Sequence, residues 1–300
     1  MKKFYRILSF ALLVCMVLSF AACGNTKADT IKIATKPLTE QYILGEMLKL
    51  IIEENTEYQC EITKGVGGGT SNIMPGMKSG DFDLYPEYTS TGYVLVLGHD
   101  ARGVDDNVMW EQLKQEYRDT LQMEWLGQYG FNNTYCLTVR GETARQYNLK
   151  TCSDMTAVAD KIVFGGNPDY IEREDGFGLV CETYGYEFKD VKSIDIGVKY
   201  AALENGDIDV TNGYTTDAQL GVQDVVVLED DKHLQANYFC STVVRQDTLK
   251  EHPGLEEALM LMDGILSDNE MAKLNYKVEV EGKDEASVAK EFLTEKGIIK

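Results

Sequence analysis

Apolar and polar residues follow two periods along this chain. Residues 31–35 and 58–63 alternate and predict strands, whereas Ile43 and Met47 belong to an apolar stripe that predicts a helix over 39–54. The resulting order of strand, helix and strand is typical of an α/β domain with a parallel or mixed sheet. The same periods predict strands over 132–140 and 238–245, and helices over 73–79, 105–122, 153–161, 178–184, 198–205, 254–266, 269–276 and 284–296.

One ten-residue segment occurs twice in the chain, at an offset of 126 residues. Each copy follows a helical run, turns at a glycine and predicts a short strand that ends in a loop with a tyrosine. The chain is therefore predicted to form two related α/β lobes, with a ligand cleft at the carboxyl ends of the strands. The identical pairs are Gly80/Gly206, Asp81/Asp207, Asp83/Asp209, Tyr88/Tyr214 and Thr89/Thr215.

The amino terminus has the layout of an export signal. Three basic residues precede an apolar run over 7–20, and two alanines lead to Cys23. This ending resembles the lipobox of bacterial lipoproteins, which predicts a signal peptide over 1–22, lipidation of Cys23 and a polar tether over 23–30. The alternative is a transmembrane anchor, but the run is shorter than the roughly 20 residues that a spanning helix needs. We expect an extracytoplasmic protein that is lipid-anchored to the cell membrane.

Composition excludes several classes of function. The net charge of −20 disfavours nucleic-acid binding, and the three histidines are too few and too scattered for a metal site or a His-based triad. No CxxC spacing occurs among the seven cysteines, so neither a metal site nor a disulfide framework is predicted, although one pair remains open to bridging. The glycine-rich stretch 65–70 lacks phosphate-loop residues, and we expect Thr70 or Ser71 to cap the next helix. No cofactor is expected.

Tyrosine is the most informative residue type, with 17 copies against 10 phenylalanines. Four tyrosines fall at predicted strand ends or crossing strands that face the cleft. Each alone is an ordinary half-buried tyrosine, but four together can wall a cleft and bind a quaternary ammonium group through their ring faces. The recurring aspartates, in contrast, are expected to have a structural role such as capping turns. The four tyrosines are Tyr88, Tyr135, Tyr214 and Tyr238.

Several motifs resemble those of the substrate-binding lipoproteins of osmoprotectant ABC importers, of the Gram-positive glycine betaine/carnitine/choline type. The resemblance implies a two-lobed periplasmic-binding-protein type II fold, in which each lobe is a mixed sheet flanked by helices and two crossing strands form the hinge. Lobe I is expected over 31–133 and 239–300, and lobe II over 134–238. The motifs are TEQYILGE at 39–46, DLYPEYTST at 83–91, FNNTY at 131–135, REDG at 173–176, and DIDV with TTD within 207–217.

The same resemblance implies function and site residues. It implies a monomeric, non-enzymatic receptor that captures glycine betaine, carnitine or choline and delivers it to a permease with a cytoplasmic ATPase. Thr91 resembles the residue of relatives that accept a ligand carboxylate, whereas an aspartate there resembles choline-restricted relatives. The implied tyrosine cage comprises Tyr88, Tyr135, Tyr214 and Tyr238, and the implied contacts to the polar tail of the ligand are Gln41 and Thr91.

Three alternatives follow from the residues. A receptor for another small cation or an amino acid requires an acidic residue and N–H acceptors in the cleft. An exported two-lobe enzyme with a carboxylate pair requires an Asp or Glu of raised pKa beside the cleft tyrosines. An interaction module requires an exposed apolar patch on the helix predicted over 105–122.

Overall fold

A computed structural model describes residues 30–101, 103–166, 168–172, 176–195 and 198–300. The predicted signal peptide and the lipidation at Cys23 lie outside these residues, as do positions 173–175 of the REDG motif. Within the described ranges, no helix has the length and apolar character needed to cross a membrane.

The described residues form ten strands in two five-stranded mixed sheets. Their orders are β2-β1-β3-β10-β4 and β7-β6-β8-β5-β9. In each sheet three parallel strands are followed by one strand that runs antiparallel to its neighbours on both sides, β10 in the first sheet and β5 in the second. We call the parts built on the first and second sheets lobe I and lobe II. The strands are β1 (Thr30–Ala34), β2 (Gln59–Thr63), β3 (Leu84–Tyr88), β4 (Met123–Leu126), β5 (Tyr135–Arg140), β6 (Val163–Gly166), β7 (Asp190–Ser193), β8 (Val210–Tyr214), β9 (Val225–Val227) and β10 (Cys240–Arg245).

Helices flank both sheets. The α-helices are α1 (Thr39–Asn55), α2 (Thr70–Ser79), α3 (Thr89–Thr91), α4 (Asp106–Glu116), α5 (Gly141–Tyr147), α6 (Cys152–Met155), α7 (Pro168–Glu172), α8 (Phe177–Tyr184), α9 (Lys199–Asn205), α10 (Gln246–Glu251), α11 (Leu255–Leu259), α12 (Asp268–Glu279) and α13 (Glu285–Glu295). Two π-helical turns, Gly92–Val96 and Tyr117–Leu121, and three 3₁₀ helices, Thr156–Lys161, Ala218–Gly221 and Met260–Met262, complete the helical structure of the described chain.

The periodic segments locate most of the longer elements, whereas several short strands and helices were not predicted. Among the elements that were predicted, the errors lie at their ends. The helix predicted over 254–266 is shorter, because α11 tightens into the 3₁₀ turn Met260–Met262 and Gly264 then takes a left-handed conformation. The prediction that Thr70 or Ser71 caps α2 is wrong. Gly69 occupies the N-cap position, and the Thr70 hydroxyl instead donates to Glu87 at 2.6 Å.

The repeated segment has the same structure in both lobes. Gly80 ends α2 with φ 82° and Gly206 ends α9 with φ 77°, a left-handed conformation that favours glycine. Asp83 accepts from the Lys32 amide at 2.8 Å, and Asp209 accepts from the Val163 amide at 3.0 Å. Each aspartate thus ties the start of its strand to the preceding parallel strand.

The same two aspartates have further matching partners. Asp83 accepts from the Thr248 hydroxyl at 3.1 Å, and Asp209 accepts from the Thr143 hydroxyl at 3.0 Å. Each also faces an arginine at the end of the adjacent antiparallel strand, Arg245 or Arg140. Each carboxylate therefore links three neighbouring pieces of its lobe, which is a structural role.

Two connections join the lobes. Residues 127–134 lead from β4 to β5, residues 228–239 lead from β9 back to β10, and the two pair at Asn132 and Phe239. The interior of each lobe is apolar on both sides of its sheet, and the core of lobe II includes the aromatic pair Phe164 and Phe177. All five cysteines in the described part of the chain are free.

Candidate functional site

A cavity of about 470 Å³ lies between the two lobes. Lobe I contributes the start of α1, the end of β3 and the last turns of α12, whereas lobe II contributes the start of β5, the end of β8 and the following 3₁₀ helix. The carboxyl ends of β3 and β8 therefore meet at one cleft, as expected for open α/β sheets. The lining residues are Leu38, Thr39, Glu40, Tyr88, Asn133, Thr134, Tyr135, Tyr214, Thr216, Asp217, Ala218, Gln219, Tyr238, Asn275 and Glu279.

Two tyrosines of lobe II form an aromatic pair on the cavity wall. Tyr135 and Tyr214 are directly opposite each other in the β5–β8 ladder, with ring centroids 4.8 Å apart and planes inclined by 30°. The Tyr214 hydroxyl donates to the Tyr135 hydroxyl at 3.2 Å. Tyr214 is 37% exposed, so its ring is accessible to a ligand.

Tyr88, the equivalent of Tyr214 in lobe I, has a different environment. Its side chain is only 5% exposed, and its hydroxyl donates to Glu40 Oε1 at 2.5 Å. Burial, followed by the charge of Glu40, raises the pKa of Tyr88 well above its ordinary value. The Lys36 ammonium, which is ion-paired with Glu87, lies 4.6 Å from the centre of the Tyr88 ring. One face of this ring therefore already contacts a cation.

Glu40 is a buried carboxyl group at the cavity. It is 4% exposed, and its Oε1 accepts from Tyr88 and from Asn133 Nδ2, the latter at 3.1 Å. Desolvation raises its pKa, and these hydrogen bonds oppose the shift. Thr216 and Asn275 are further hydrogen-bond partners of the Glu40 carboxyl group, and they also oppose the rise in its pKa.

The charge of the cavity favours a cation. Three acidic residues line it, and no Lys, Arg or His of the described chain does so. Asp217 is largely compensated, since it pairs with Lys199 at 3.1 Å and accepts from the Tyr200 hydroxyl at 2.6 Å. Burial raises the pKa of Glu279. The cavity therefore offers acceptors and aromatic rings, but no basic side chain for a ligand carboxylate.

The lobes touch at one end of this cavity. The 3₁₀ helix Ala218–Gly221 of lobe II packs on α12 of lobe I, and a Cβ atom on Gly221 would lie 2.9 Å from the Lys273 backbone nitrogen. Asn275 Nδ2 also donates to the Thr216 carbonyl oxygen at 2.9 Å. These contacts cross directly from one lobe to the other.

The structure brings Tyr88, Tyr135, Tyr214 and Tyr238 to one cavity. Gln41 and Thr91 are not among the lining residues. The Gln41 side chain is fully buried, where its Oε1 accepts from the Lys36 amide at 3.4 Å, and Thr91 is partly buried at the end of α3.

Sequence reasoning missed several polar residues of the lining. Glu40 precedes Gln41 in the TEQ motif, and Asn133 lies within FNNTY. Both therefore belong to motifs in which a neighbouring residue was predicted to contact the ligand. Asn275 gave no signal, because it reaches the cavity only through the packing of α12 against lobe II.

Comparisons with known proteins agree with this architecture. The family described as the substrate binding domain of ABC-type glycine betaine transport system matches residues 29–295. A crystal structure of a glycine betaine/carnitine/choline ABC transporter superposes with a TM-score of 0.84 at 30% identity, covering 90% of this chain and all of that one. The expected two-lobed type II periplasmic-binding-protein fold is confirmed.

Two relatives are similar to this chain over most of its length. The ergothioneine transport permease/ergothioneine binding protein EgtU of Helicobacter pylori is 38% identical over 89% of this chain, which spans about half (47%) of that protein. The carnitine transport binding protein OpuCC of Listeria monocytogenes is 34% identical, with 98% of this chain and 97% of the relative covered.

The family settles the class of protein. Its members are extracytoplasmic substrate-binding proteins of glycine betaine/carnitine-type ABC importers, which act with a permease and an ATPase and are not enzymes. Glu40 does have the raised pKa that the enzyme alternative required, but family membership argues against that alternative. The chain belongs to the family of substrate-binding domains of ABC-type glycine betaine transport systems.

Proposed function

We propose that this protein captures a quaternary ammonium osmoprotectant, such as glycine betaine, carnitine or choline, in the cavity between the lobes. The observation that carries the proposal is the Tyr135–Tyr214 pair, whose rings stand on the wall of an acidic cavity that Tyr88 and Tyr238 also line. A trimethylammonium group has no N–H to donate, so the faces of several rings are its best partners.

In this proposal the ligand is held by the closed lobes and delivered to an ABC permease with its cytoplasmic ATPase. Exclusion of water strengthens the attraction between the cation, the rings and the acidic lining. An acyl chain on Cys23 would keep the protein at the outer face of the membrane. Gln41 and Thr91 remain proposed contacts of the ligand's tail, but both require the ligand to reach past the lining at Tyr88.

A second candidate is a larger betaine with a ring that carries N–H groups, as in ergothioneine. Glu40 supports it, because a buried carboxyl group at the cavity suits a ring N–H, and the relative named for ergothioneine is 38% identical. This candidate corresponds to the alternative of a different small cation, which required an acidic residue in the cleft.

Calorimetric titration of the purified protein, stripped of ligand by unfolding and refolding, tests the proposal. The ligands are glycine betaine, carnitine, choline and ergothioneine, with proline as the control. We expect one quaternary ammonium compound to bind with a stoichiometry of one. Tyr214→Ala should weaken that binding about 10- to 30-fold, since a desolvated cation–π contact contributes about 2 kcal/mol.

Tyr214→Phe is the matched control, because it keeps the ring and removes only the hydroxyl that donates to Tyr135. It should retain affinity within about threefold, as expected for a loss of at most a few tenths of a kcal/mol. No binding of any quaternary ammonium compound would refute the proposed function. Equal losses in the two Tyr214 variants would refute the role of the ring.

A further inference from the structure

The threonine that follows the cleft tyrosine in each copy of the repeat holds one connection between the lobes. In lobe I, the Thr89 amide donates to the Phe239 carbonyl oxygen at 3.0 Å, and the Thr89 hydroxyl accepts from the Phe239 amide at 3.2 Å. In lobe II, the Thr215 amide donates to the Thr134 carbonyl oxygen at 3.0 Å, and the Thr215 hydroxyl accepts from the Thr134 amide at 3.1 Å. Phe239 and Thr134 directly precede β10 and β5, so each threonine fixes the point where a connection enters a lobe.

The same hydroxyl groups bind an asparagine two residues further back along each connection. Thr89 Oγ1 donates to the Asn237 carbonyl oxygen at 3.2 Å, and Thr215 Oγ1 donates to the Asn132 carbonyl oxygen. Ser90 Oγ also donates to the Asn237 carbonyl oxygen, at 2.5 Å. The carbonyl group of Asn237 is therefore fixed to lobe I, and that of Asn132 is fixed to lobe II.

At both asparagines the preceding peptide group is fixed to the other lobe. The Asn132 amide donates to Asp268 of lobe I at 2.8 Å. The Ala236 carbonyl oxygen, in the peptide group that precedes Asn237, accepts from the Thr134 hydroxyl on the lobe II side at 2.6 Å. Because peptide groups are planar, the change of lobe falls on the φ and ψ of a single residue in each connection.

We propose that the lobes turn about Asn132 and Asn237 when the cleft opens and closes, and that these residues set the affinity without contacting the ligand. Neither is among the residues that line the cavity, but each is followed by one that is, Asn133 or Tyr238. The two asparagines are also neighbours, since Asn132 Nδ2 donates to Asn237 Oδ1 at 2.7 Å. Two adjacent residues that absorb the change in φ and ψ are sufficient for a hinge.

The alternative is bending that is spread along both connections, and Ala236 distinguishes the two. The Gln235 amide donates to Asp230 at 2.7 Å, and Asp230 accepts from the Tyr184 hydroxyl of lobe II. Ala236 therefore has lobe II contacts on both sides. Its torsions do not need to change when the lobes turn about Asn237.

Alanine and glycine variants at each asparagine measure where the backbone turns. Both substitutions remove the same side chain, but only glycine adds backbone freedom, which is lost again when the lobes close on a ligand. Neither asparagine has a left-handed φ, so alanine is not strained there. In calorimetry with glycine betaine, carnitine, choline and ergothioneine, we expect Asn132→Gly and Asn237→Gly to bind about two- to fivefold more weakly than Asn132→Ala and Asn237→Ala.

Ala236→Gly is the matched control, because it adds the same freedom one residue outside the proposed pivot. Its affinity should equal that of the native protein. Equal affinities of the glycine and alanine variants at both asparagines would overturn the proposal. A loss in Ala236→Gly as large as the difference between Asn237→Gly and Asn237→Ala would also overturn it, in favour of bending along the whole connection.

Amide hydrogen exchange, followed by NMR, tests the pivots in the native protein without ligand. The Asn132, Thr134 and Phe239 amides each bind within one lobe, so turning at the asparagine torsions leaves their hydrogen bonds intact. The Asn133 amide instead donates across the pivots, to the Tyr238 carbonyl oxygen at 3.2 Å. We expect the Asn133 amide to exchange roughly tenfold faster than the other three, and equal exchange of all four would contradict the pivots.

The position of the pivots rests on the two-lobed fold, whereas the expected differences in affinity rest on the proposed function as well. If none of the four compounds binds the native protein, the proposed function fails and the exchange rates decide the position of the pivots. If a compound binds but the glycine and alanine variants have equal affinities, the pivots fail and the proposed function stands.

Discussion

The two lobes share a repeated segment. Its first residues make the same contacts in both lobes, whereas its tyrosines do not. At the start of the segment the lobes match, since Asp83 and Asp209 bind an equivalent amide, hydroxyl and arginine. At the tyrosine they differ, because Tyr88 is 5% exposed and Tyr214 is 37% exposed. The start of the segment builds each lobe, whereas the tyrosine faces the cleft.

The environment of each tyrosine explains the difference. Tyr88 lies between the start of α1, which supplies Glu40, and the Lys36 ammonium over its ring. Tyr214 instead pairs with Tyr135 on the neighbouring strand and keeps an accessible face. Equivalent positions of a repeat therefore have different roles: one tyrosine organises polar groups, and the other offers its ring.

The largest effect is expected from the shared part of the repeat. Asp83→Ala and Asp209→Ala should each lower the free energy of unfolding by about 2–3 kcal/mol, because each leaves a backbone amide, a hydroxyl and an arginine without their acceptor. Chemical denaturation measures the change. Asp81→Ala and Asp207→Ala are the matched controls, since both side chains are exposed and should matter by less than about 0.5 kcal/mol.

The equivalence of the two lobes is contradicted if Asp83→Ala and Asp209→Ala change the free energy of unfolding by different amounts. A loss at Asp83 without a similar loss at Asp209 would mean that the equivalent hydrogen bonds do not have equivalent energies. If Asp81→Ala or Asp207→Ala destabilises the protein as much as Asp83→Ala or Asp209→Ala does, the hydrogen bonds of Asp83 and Asp209 are not the source of the stability.

The sequence predicted the repeated part of the fold well because its signals are local. A glycine after a helix, an alternating strand and a terminal tyrosine all lie within ten residues. The two related lobes and the meeting of Tyr88 and Tyr214 at one cavity follow from those signals. The short strands β4, β6, β7 and β9 were not predicted, because three or four residues carry little periodicity.

The polar half of the site was harder to predict. Glu40 and Gln41 are adjacent on α1, yet successive helical residues point about 100° apart, so only Glu40 lines the cavity. Asn275 reaches the cavity by contacts between α12 and residues more than fifty positions earlier in the chain. No local pattern marks such a contact.

An intermediate effect is expected where the two lobes meet. A Cβ atom at position 221 would lie 2.9 Å from Lys273 N and 3.0 Å from its Cα, so Gly221→Ala should push the 3₁₀ helix away from α12. Gly221 does not have a left-handed φ, so alanine is not strained within lobe II itself. We expect about fivefold weaker ligand binding, roughly 1 kcal/mol, with an unchanged free energy of unfolding.

Gly178→Ala is the control for this prediction. Gly178 lies in α8 of the same lobe and lacks a left-handed φ, and a Cβ atom added there would meet no described atom within 4 Å, so alanine should leave binding unchanged. Calorimetry gives the affinity, and small-angle scattering gives the radius of gyration with and without ligand. Unaltered binding by Gly221→Ala would mean that the lobes do not need this close approach.

The smallest effect concerns Glu40, the carboxyl group that accepts from the Tyr88 hydroxyl. Burial raises the folded-state pKa of Glu40, so the native protein binds a proton that the unfolded chain has already released. This contribution to stability is fully present below the ordinary pKa of a glutamate. It is lost as pH rises through the raised value. Glu40→Gln should therefore make the unfolding free energy of the ligand-free protein less dependent on pH in that window.

Glu142→Gln is the comparison for this measurement, because it removes an exposed carboxyl group from lobe II and should leave the pH dependence as in the native protein. The groups that face Glu40 are Tyr88, Asn133, Thr216 and Asn275, and none of their side chains ionises in this range. Glu279 shares the cavity and has a raised pKa of its own, so part of the slope remains in Glu40→Gln. If the unfolding free energy of Glu40→Gln depends on pH as steeply as that of the native protein, burial of Glu40 does not disfavour its ionised form. The polar environment of Tyr88 would then differ from that of Tyr214 in geometry alone.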